Sequence, residues 1–117
     1  MQKITPHLWF DREAEEAVNF YISVFKKDSK VLSISRYTEA GFDVHHMPAG
    51  TAMVVEFELF GQRFMGLNGG PVFKFNEAIS FVVECDNQEE IDNYWEQLSA
   101  HPESEQCGWL KDKYGLS

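Results

Sequence analysis

The side chains equipped for chemistry are few and widely spaced: His7, the pair His45 and His46, Asn68, Cys85, Gln106 and Cys107. Imidazole is a common ligand for divalent transition metals, so His7 is the candidate metal residue. One imidazole does not make a site, because catalytic zinc usually takes three protein ligands and structural zinc four. Without partners His7 is a polar strand residue at the mouth of a pocket. His45 and His46 are adjacent and would point to opposite sides of an extended chain, so their spacing fits an exposed loop pair better than a chelate. A nucleophilic Cys107 needs a base or a cation beside it to form the thiolate, and His101 and Lys111 are the sequence neighbours that offer one. That makes Cys107 the candidate catalytic residue. Cys85 lies in an apolar run, where a free thiol behaves as a small hydrophobe. Two cysteines without CxxC spacing both read as free thiols.

Asn68 can donate and accept at once, which suits a ligand contact, although Asn68-Gly69-Gly70 also makes a turn by itself. If Gln106 to Leu110 is a strand, Gln106 and Gly108 face one way and Cys107 and Trp109 the other. Only one of those sets can line a concavity. The aromatic residues Trp9, Phe57, Phe64, Phe73, Phe75, Phe81 and Trp109 suit an apolar pocket for a planar or hydrophobic small molecule, while core packing explains most of them. The candidate ligand-binding set is therefore Trp9, Phe64, Asn68, Gln106 and Trp109.

These residues must be positioned by the elements around them. Ile4 to Phe10 is apolar, broken by Pro6, and runs into Asp11, which reads as a strand ending at a helix cap. Ala14, Ala17, Val18, Tyr21, Val24 and Phe25 then recur at helical spacing, with acids in the first turns and Lys26-Lys27 at the close. Val31 to Tyr37 alternates as a half-buried strand with Leu32 and Ile34 on its apolar face. Thr38 to Gly50 lacks periodicity and reads as a loop. Met53 to Leu59 and Arg63 to Leu67, split by Gly61, form a hairpin. Asn68-Gly69-Gly70-Pro71 ends the first half, since Gly permits positive φ and Pro cannot extend a ladder. The order then repeats: a strand from Ile79 to Cys85, and a helix capped by Asp86 with Glu89 as its capping-box partner. Ile91, Tyr94, Trp95 and Leu98 form that helix's apolar stripe. Gln106 to Leu110 reads as a strand and Lys111 to Gly115 as a turn, and a closing strand after it is missing.

The totals narrow the partners. A chain of 117 residues fits one domain and can bury about two-thirds of its unfolded surface. Hydrophobic residues make up 44% and charged residues 25%, an ordinary globular balance. A net charge of −9, with no basic run longer than Lys26-Lys27, argues against nucleic acid. No apolar run approaches the roughly 20 residues of a spanning helix, and no hydrophobic leader opens the chain, so a cytoplasmic location is expected.

The order strand, helix and three strands, repeated once, resembles the vicinal oxygen chelate superfamily of glyoxalase I and the bleomycin-resistance proteins. The runs Ile4-Thr5-Pro6-His7-Leu8-Trp9-Phe10-Asp11, Ala14-Glu15-Glu16-Ala17-Val18, Leu67-Asn68-Gly69-Gly70-Pro71, Phe73-Lys74-Phe75 and Gln106-Cys107-Gly108-Trp109-Leu110-Lys111-Asp112 look like its PhnB-like branch. That branch is also labelled the 3-demethylubiquinone-9 3-methyltransferase family. The resemblance implies an α+β, glyoxalase-like fold: two βαβββ modules forming a curved mixed sheet, the final strand of the second missing. The chain would be one domain, with module one at 1–70 and a truncated module two at 71–117. It also implies a small organic ligand in an aromatic-lined cavity with no assigned reaction. Alternatives are a metal-dependent lyase, isomerase or dioxygenase using His7 and a divalent metal, or a non-catalytic drug or metabolite sequestering protein. Methyl transfer fits less well, because neither strand-to-helix turn, at Asp11 or Asp86, has the glycines that cradle a nucleoside-bearing donor. An unfinished sheet leaves a free strand edge and an uncovered apolar face, so a homodimer is expected.

Overall fold

The computed structural model describes residues 2–40, 49–76, 78–105 and 109–117. The fold is α+β, and the chain divides into two compact units, residues 1–73 and 74–117. In the first, the elements run β1 (His7–Phe10), α1 (Ala14–Phe25), β2 (Lys30–Arg36), β3 (Ala52–Leu59) and β4 (Gln62–Asn68). The strands make one mixed sheet in the order β1-β4-β3-β2. β1 lies parallel to β4, and the other neighbours are antiparallel.

β1 is shorter than the expected Ile4 to Phe10, because Pro6 has no N–H to give a ladder. Its carbonyl still accepts from Met65 N at 2.9 Å. The Gln2 side chain then stands in for backbone, accepting from Arg63 N and donating to the Arg63 carbonyl, both at 2.9 Å.

The α1 stripe forms as the spacing predicts, with Ala14, Ala17, Val18, Tyr21, Val24 and Phe25 all buried. Its cap does not. Asp11 lies too far upstream of a helix that begins at Ala14, and Glu13 at the cap position makes no side-chain capping bond. β2 also departs from simple alternation. A register shift between Val31 and Ser33 changes which residues share a face, leaving Leu32 38% exposed while Val31 and Ile34 are half-buried.

The β3–β4 hairpin turns through Phe60 and Gly61, both at positive φ (53° and 77°), the type I′ geometry that matches strand twist. That conformation is costly for a bulky residue such as Phe60. Its ring packs on Phe25 with centroids 5.3 Å apart, and its N–H donates to Ser29 Oγ at 3.3 Å. Gly61 N–H donates to the Asp28 carbonyl at 2.9 Å, so the hairpin tip is tied to the loop after α1.

One face of the sheet lies under α1 and forms the core. Phe57 is fully buried there and stacks on Phe64 at 5.5 Å. Gly66 gives the helix room: a Cβ at that position would stand 3.4 Å from Val18.

The second unit holds α2 (Gln88–Leu98) and a short 3₁₀ turn, Pro102–Ser104. The cap falls one residue later than Asp86. Asn87 is the extended residue next to the helix, and its Oδ1 accepts from Glu90 N at 2.9 Å. No residue of α2 is fully buried, so the stripe Ile91, Tyr94, Trp95 and Leu98 is only partly covered. The expected strand from Ile79 to Cys85 is not a strand in the structure. A strand needs a partner. β1 has β4, but the described residues after α2 form no strand; they include a bridge residue, Trp109, and Ser117, whose carbonyl accepts from Phe81 N at 3.2 Å. The expected turn at Lys111 to Gly115 does form. Asp112 is buried, and its Oδ1 accepts from Tyr114 N at 2.8 Å and Leu116 N at 3.0 Å.

The contrast between the units is measurable by denaturant unfolding. Phe57→Ala should cost about 3–5 kcal/mol as a large-to-small change in a filled core. Val82→Ala, at a position 86% exposed, should stay within about 0.5 kcal/mol of the parent.

Candidate functional site

Alternation divides the sheet residues of the first unit between two faces. Leu8, Phe10, Val55, Phe57, Phe64 and Asn68 are buried on the α1 side. The opposite face is ordered into rows by the ladder. Trp9 pairs with Leu67 and Leu67 with Val54; one rung along, His7 pairs with Met65 and Met65 with Glu56. His7 is exposed, and the other members of both rows are half-buried. Arg63 stands opposite Glu58 at the next rung and leans toward Glu56, Nε to Oε1 at 3.6 Å. That distance is an ion-pair contact rather than a hydrogen bond, and Arg63 Nε is buried without one. The face thus has an apolar row beside a row and corner of ionisable groups.

Trp9 is held in place from the adjoining turn. Its indole Nε1 donates to the Gly70 carbonyl at 2.9 Å, and Phe73 meets it edge-on at 5.0 Å. A Cβ on Gly69 would overlap the indole ring, so the glycine there is required by close approach of backbone to ring.

Asn68 points the other way. Its Oδ1 accepts from Ala14 N at 2.9 Å, its Nδ2 donates to the Ala52 carbonyl at 2.8 Å, and its own carbonyl accepts from the Tyr37 hydroxyl at 2.6 Å. This side chain supplies the cap that α1 lacks locally. Phe64 is likewise in the core under α1. Of the candidate set, then, His7 and Trp9 share one face, Phe64 and Asn68 the other, and Trp109 lies in the second unit, 46% exposed. Gln106, Cys107, His45 and His46 fall outside the described residues. The polar pair Glu56 and Arg63 carries no local motif in the sequence. Its signal was the alternation of the hairpin, which assigns both to the face away from the core.

His7 does not find a ligand set. Its ladder neighbour is the thioether of Met65, and among the described residues no group of three His, Cys, Asp or Glu could hold a metal ion. The thiol of Cys85 is half-buried and free. Burial pushes its pKa up, and the nearby charges of Glu90 and Asp86 push the same way. It is therefore a poor thiolate at neutral pH. The Glu15–Arg36 pair is bidentate, at 3.0 and 3.1 Å, and the bond to Arg36 lowers the Glu15 pKa. Its contribution is present above the unfolded carboxylate pKa and fades as pH falls through the lowered folded value.

Comparison with known proteins gives this geometry a family. The family model for 3-demethylubiquinone-9 3-methyltransferase matches residues 2–117. The chain belongs to that family. Among solved structures, a PhnB protein from Bacillus cereus is 40% identical, covers 98% of this chain and 95% of its own, and superposes with a TM-score of 0.80. A protein from Staphylococcus aureus is 28% identical over 99% of this chain and 92% of its own, at a TM-score of 0.46, too low to carry a structural argument. No curated protein matches. The family, its PhnB structural neighbour and the mixed sheet flanked by α1 agree on a glyoxalase-like fold for this 3-demethylubiquinone-9 3-methyltransferase family member. No helix among the described residues is long and apolar enough to cross a membrane.

Asn68→Ala should lower stability by about 2–4 kcal/mol, since it strands one buried N–H and one carbonyl at once. A denaturant titration that finds under about 0.5 kcal/mol would mean the cap is dispensable. Peptide-resolved alkylation at pH 7 should find Cys85 reacting more slowly than the thiol of an unstructured peptide, with its rate climbing only at a pH above that at which the peptide thiol ionises.

Proposed function

We propose that this protein binds a small organic molecule against the sheet face opposite α1. The observation that carries the reading is the register of that face: an apolar row, Trp9, Leu67 and Val54, lies beside His7, Glu56 and Arg63. Small-molecule sites combine a mostly apolar lining with a few polar groups that fix orientation, and these two rows have that composition. The indole of Trp9 is preorganised for stacking by its bond to Gly70. His7, Glu56 and Arg63 would orient the polar end of the ligand.

On this reading the first unit is a complete βαβββ module, and residues 74–117 are a second module of the same kind, Ile79 to Cys85 standing where β1 stands. The family's name suggests methyl transfer. Two features of the first unit speak for binding instead. The turn from β1 to α1, Asp11-Arg12-Glu13, has no glycine to admit a phosphate or nucleoside closely, and Ala14 N at the helix start is already taken by Asn68. Among the described residues no group of three His, Cys, Asp or Glu gathers at His7 to hold a divalent metal.

The test is a thermal-shift screen of planar and hydrophobic metabolites followed by titration calorimetry. A genuine ligand should bind Leu67→Asp at least about tenfold more weakly, while circular dichroism shows the fold intact. If ligands bind Leu67→Asp and Glu56→Ala as they bind the parent, the site lies elsewhere and the proposal fails.

A further inference from the structure

Of the five asparagines in this chain, only Asn68 precedes a glycine. An asparagine so placed carries a latent reaction of its own. The backbone nitrogen of the next residue can add to the side-chain carbonyl carbon and close a cyclic imide, and a glycine, without a side chain, opposes that approach least. The new bond from Gly69 N to Cγ replaces the bond from Cγ to Nδ2. The amide leaves as ammonia, taking the proton that Gly69 N gives up. Water then opens the ring at either carbonyl, leaving aspartate or isoaspartate at position 68. The reaction needs water and no other co-reactant.

The folded first unit withholds each part of that reaction. Ring closure requires the carboxamide to swing onto Gly69 N, but Asn68 is buried and both its amide atoms are bonded, Oδ1 to Ala14 N at 2.9 Å and Nδ2 to the Ala52 carbonyl at 2.8 Å. The attacking nitrogen is engaged as well, since Gly69 N donates to the Phe10 carbonyl at 2.9 Å. The backbone between the two groups is pinned. Asn68 pairs with Phe10 in the ladder, its carbonyl accepts from the Tyr37 hydroxyl at 2.6 Å, and the Trp9 indole presses on Gly69. The ring therefore closes only after an opening that breaks these bonds together.

We propose that Asn68 is a self-modification site gated by folding: it deamidates when the first unit opens, and the product cannot rebuild what was opened. An aspartate carboxylate only accepts, so the oxygen in place of Nδ2 would face the Ala52 carbonyl, acceptor against acceptor, in a buried site. Isoaspartate routes the main chain through the former side chain. The added methylene moves Gly69 and Gly70 out of register with the Phe10 and Asp11 carbonyls, to which they donate at 2.9 and 3.2 Å. Those glycines also seat the indole of Trp9, so the lesion releases that ring from its clamp. Unfolding of the first unit thus becomes irreversible through covalent chemistry, and the lifetime of the fold is set by how often it opens. This inference does not depend on the proposed ligand.

Peptide mapping by mass spectrometry on the full chain tests it. In guanidinium chloride at mildly alkaline pH, the peptide holding Asn68 should gain the mass of deamidation ahead of any peptide holding another asparagine. In native buffer at the same pH its conversion should be at least about a hundredfold slower, because only the opened fraction reacts. Phe57→Ala leaves residues 68–70 untouched but makes opening more frequent, and should convert in native buffer at least roughly tenfold faster than the parent. On removal of denaturant, the yield of refolded protein should fall in step with conversion at Asn68. Equal rates in native buffer and denaturant overturn the proposal, as does the absence of conversion in denaturant. So does a Phe57→Ala chain that converts no faster than the parent, or a deamidated chain that refolds with the parent's denaturation midpoint.

Discussion

The carboxamide of Asn68 is the contact on which the first unit's architecture turns. One side chain, 2% exposed, accepts from the first N–H of α1 and donates to the first carbonyl of β3, while its backbone pairs with β1 and accepts from Tyr37. A helix begins with N–H groups that its own bonds cannot satisfy, and burying them without acceptors is costly. Here the acceptor comes from the end of β4, so helix position and strand order are set by the same group. Ala14 is fully buried, which leaves no room for water to do this instead.

The end of β4 also explains how core and candidate site stay separate. Leu67 and Asn68 are consecutive and face opposite sides of the sheet. Asn68 serves the helix side; Leu67 and, one turn later, Gly69 and Gly70 serve the side of Trp9. The glycines let the backbone press against the indole and present a carbonyl to it. A ring so clamped loses little further freedom when a ligand stacks on it, which is the physical advantage of a preorganised aromatic contact.

What could be read in the sequence follows the range of the interaction concerned. The α1 stripe and the hairpin are encoded by neighbours three, four or two residues apart, and both form as their periods predict. The cap of α1 depends on a residue 54 positions away, so local reading placed it at Asp11, the nearest residue of the right type. Leu32 was assigned to the buried face by strict alternation, which a single register shift in β2 undoes. Asn68 reads locally as a ligand contact or a turn-former, and nothing nearby in sequence points to the helix cap it supplies. Glu56 and Arg63 looked like ordinary alternating charges until the register set them beside His7 and Met65.

The second unit shows the same principle from the other side. Ile79 to Cys85 has the composition of a strand, but a strand is a relation between two segments, and sequence describes only one of them. Without a full ladder its backbone forms no strand, and Ile79 and Val82 remain exposed. α2 forms regardless, because its cap, Asn87 to Glu90, and its 3.6-residue period are local. The ties of the described residues in this unit include several specific polar ones: Trp95 Nε1 and Ser99 Oγ both donate to Glu105, Ala100 N donates to the Lys111 carbonyl, and Asp112 closes its own turn. Polar ties of this kind hold geometry without burying much apolar area, and the carboxylates on α2 repel one another as well. A helix that is locally well specified, apolar on one stripe, acidic at its border and short of burial gains most from any surface able to cover the stripe and neutralise the border together.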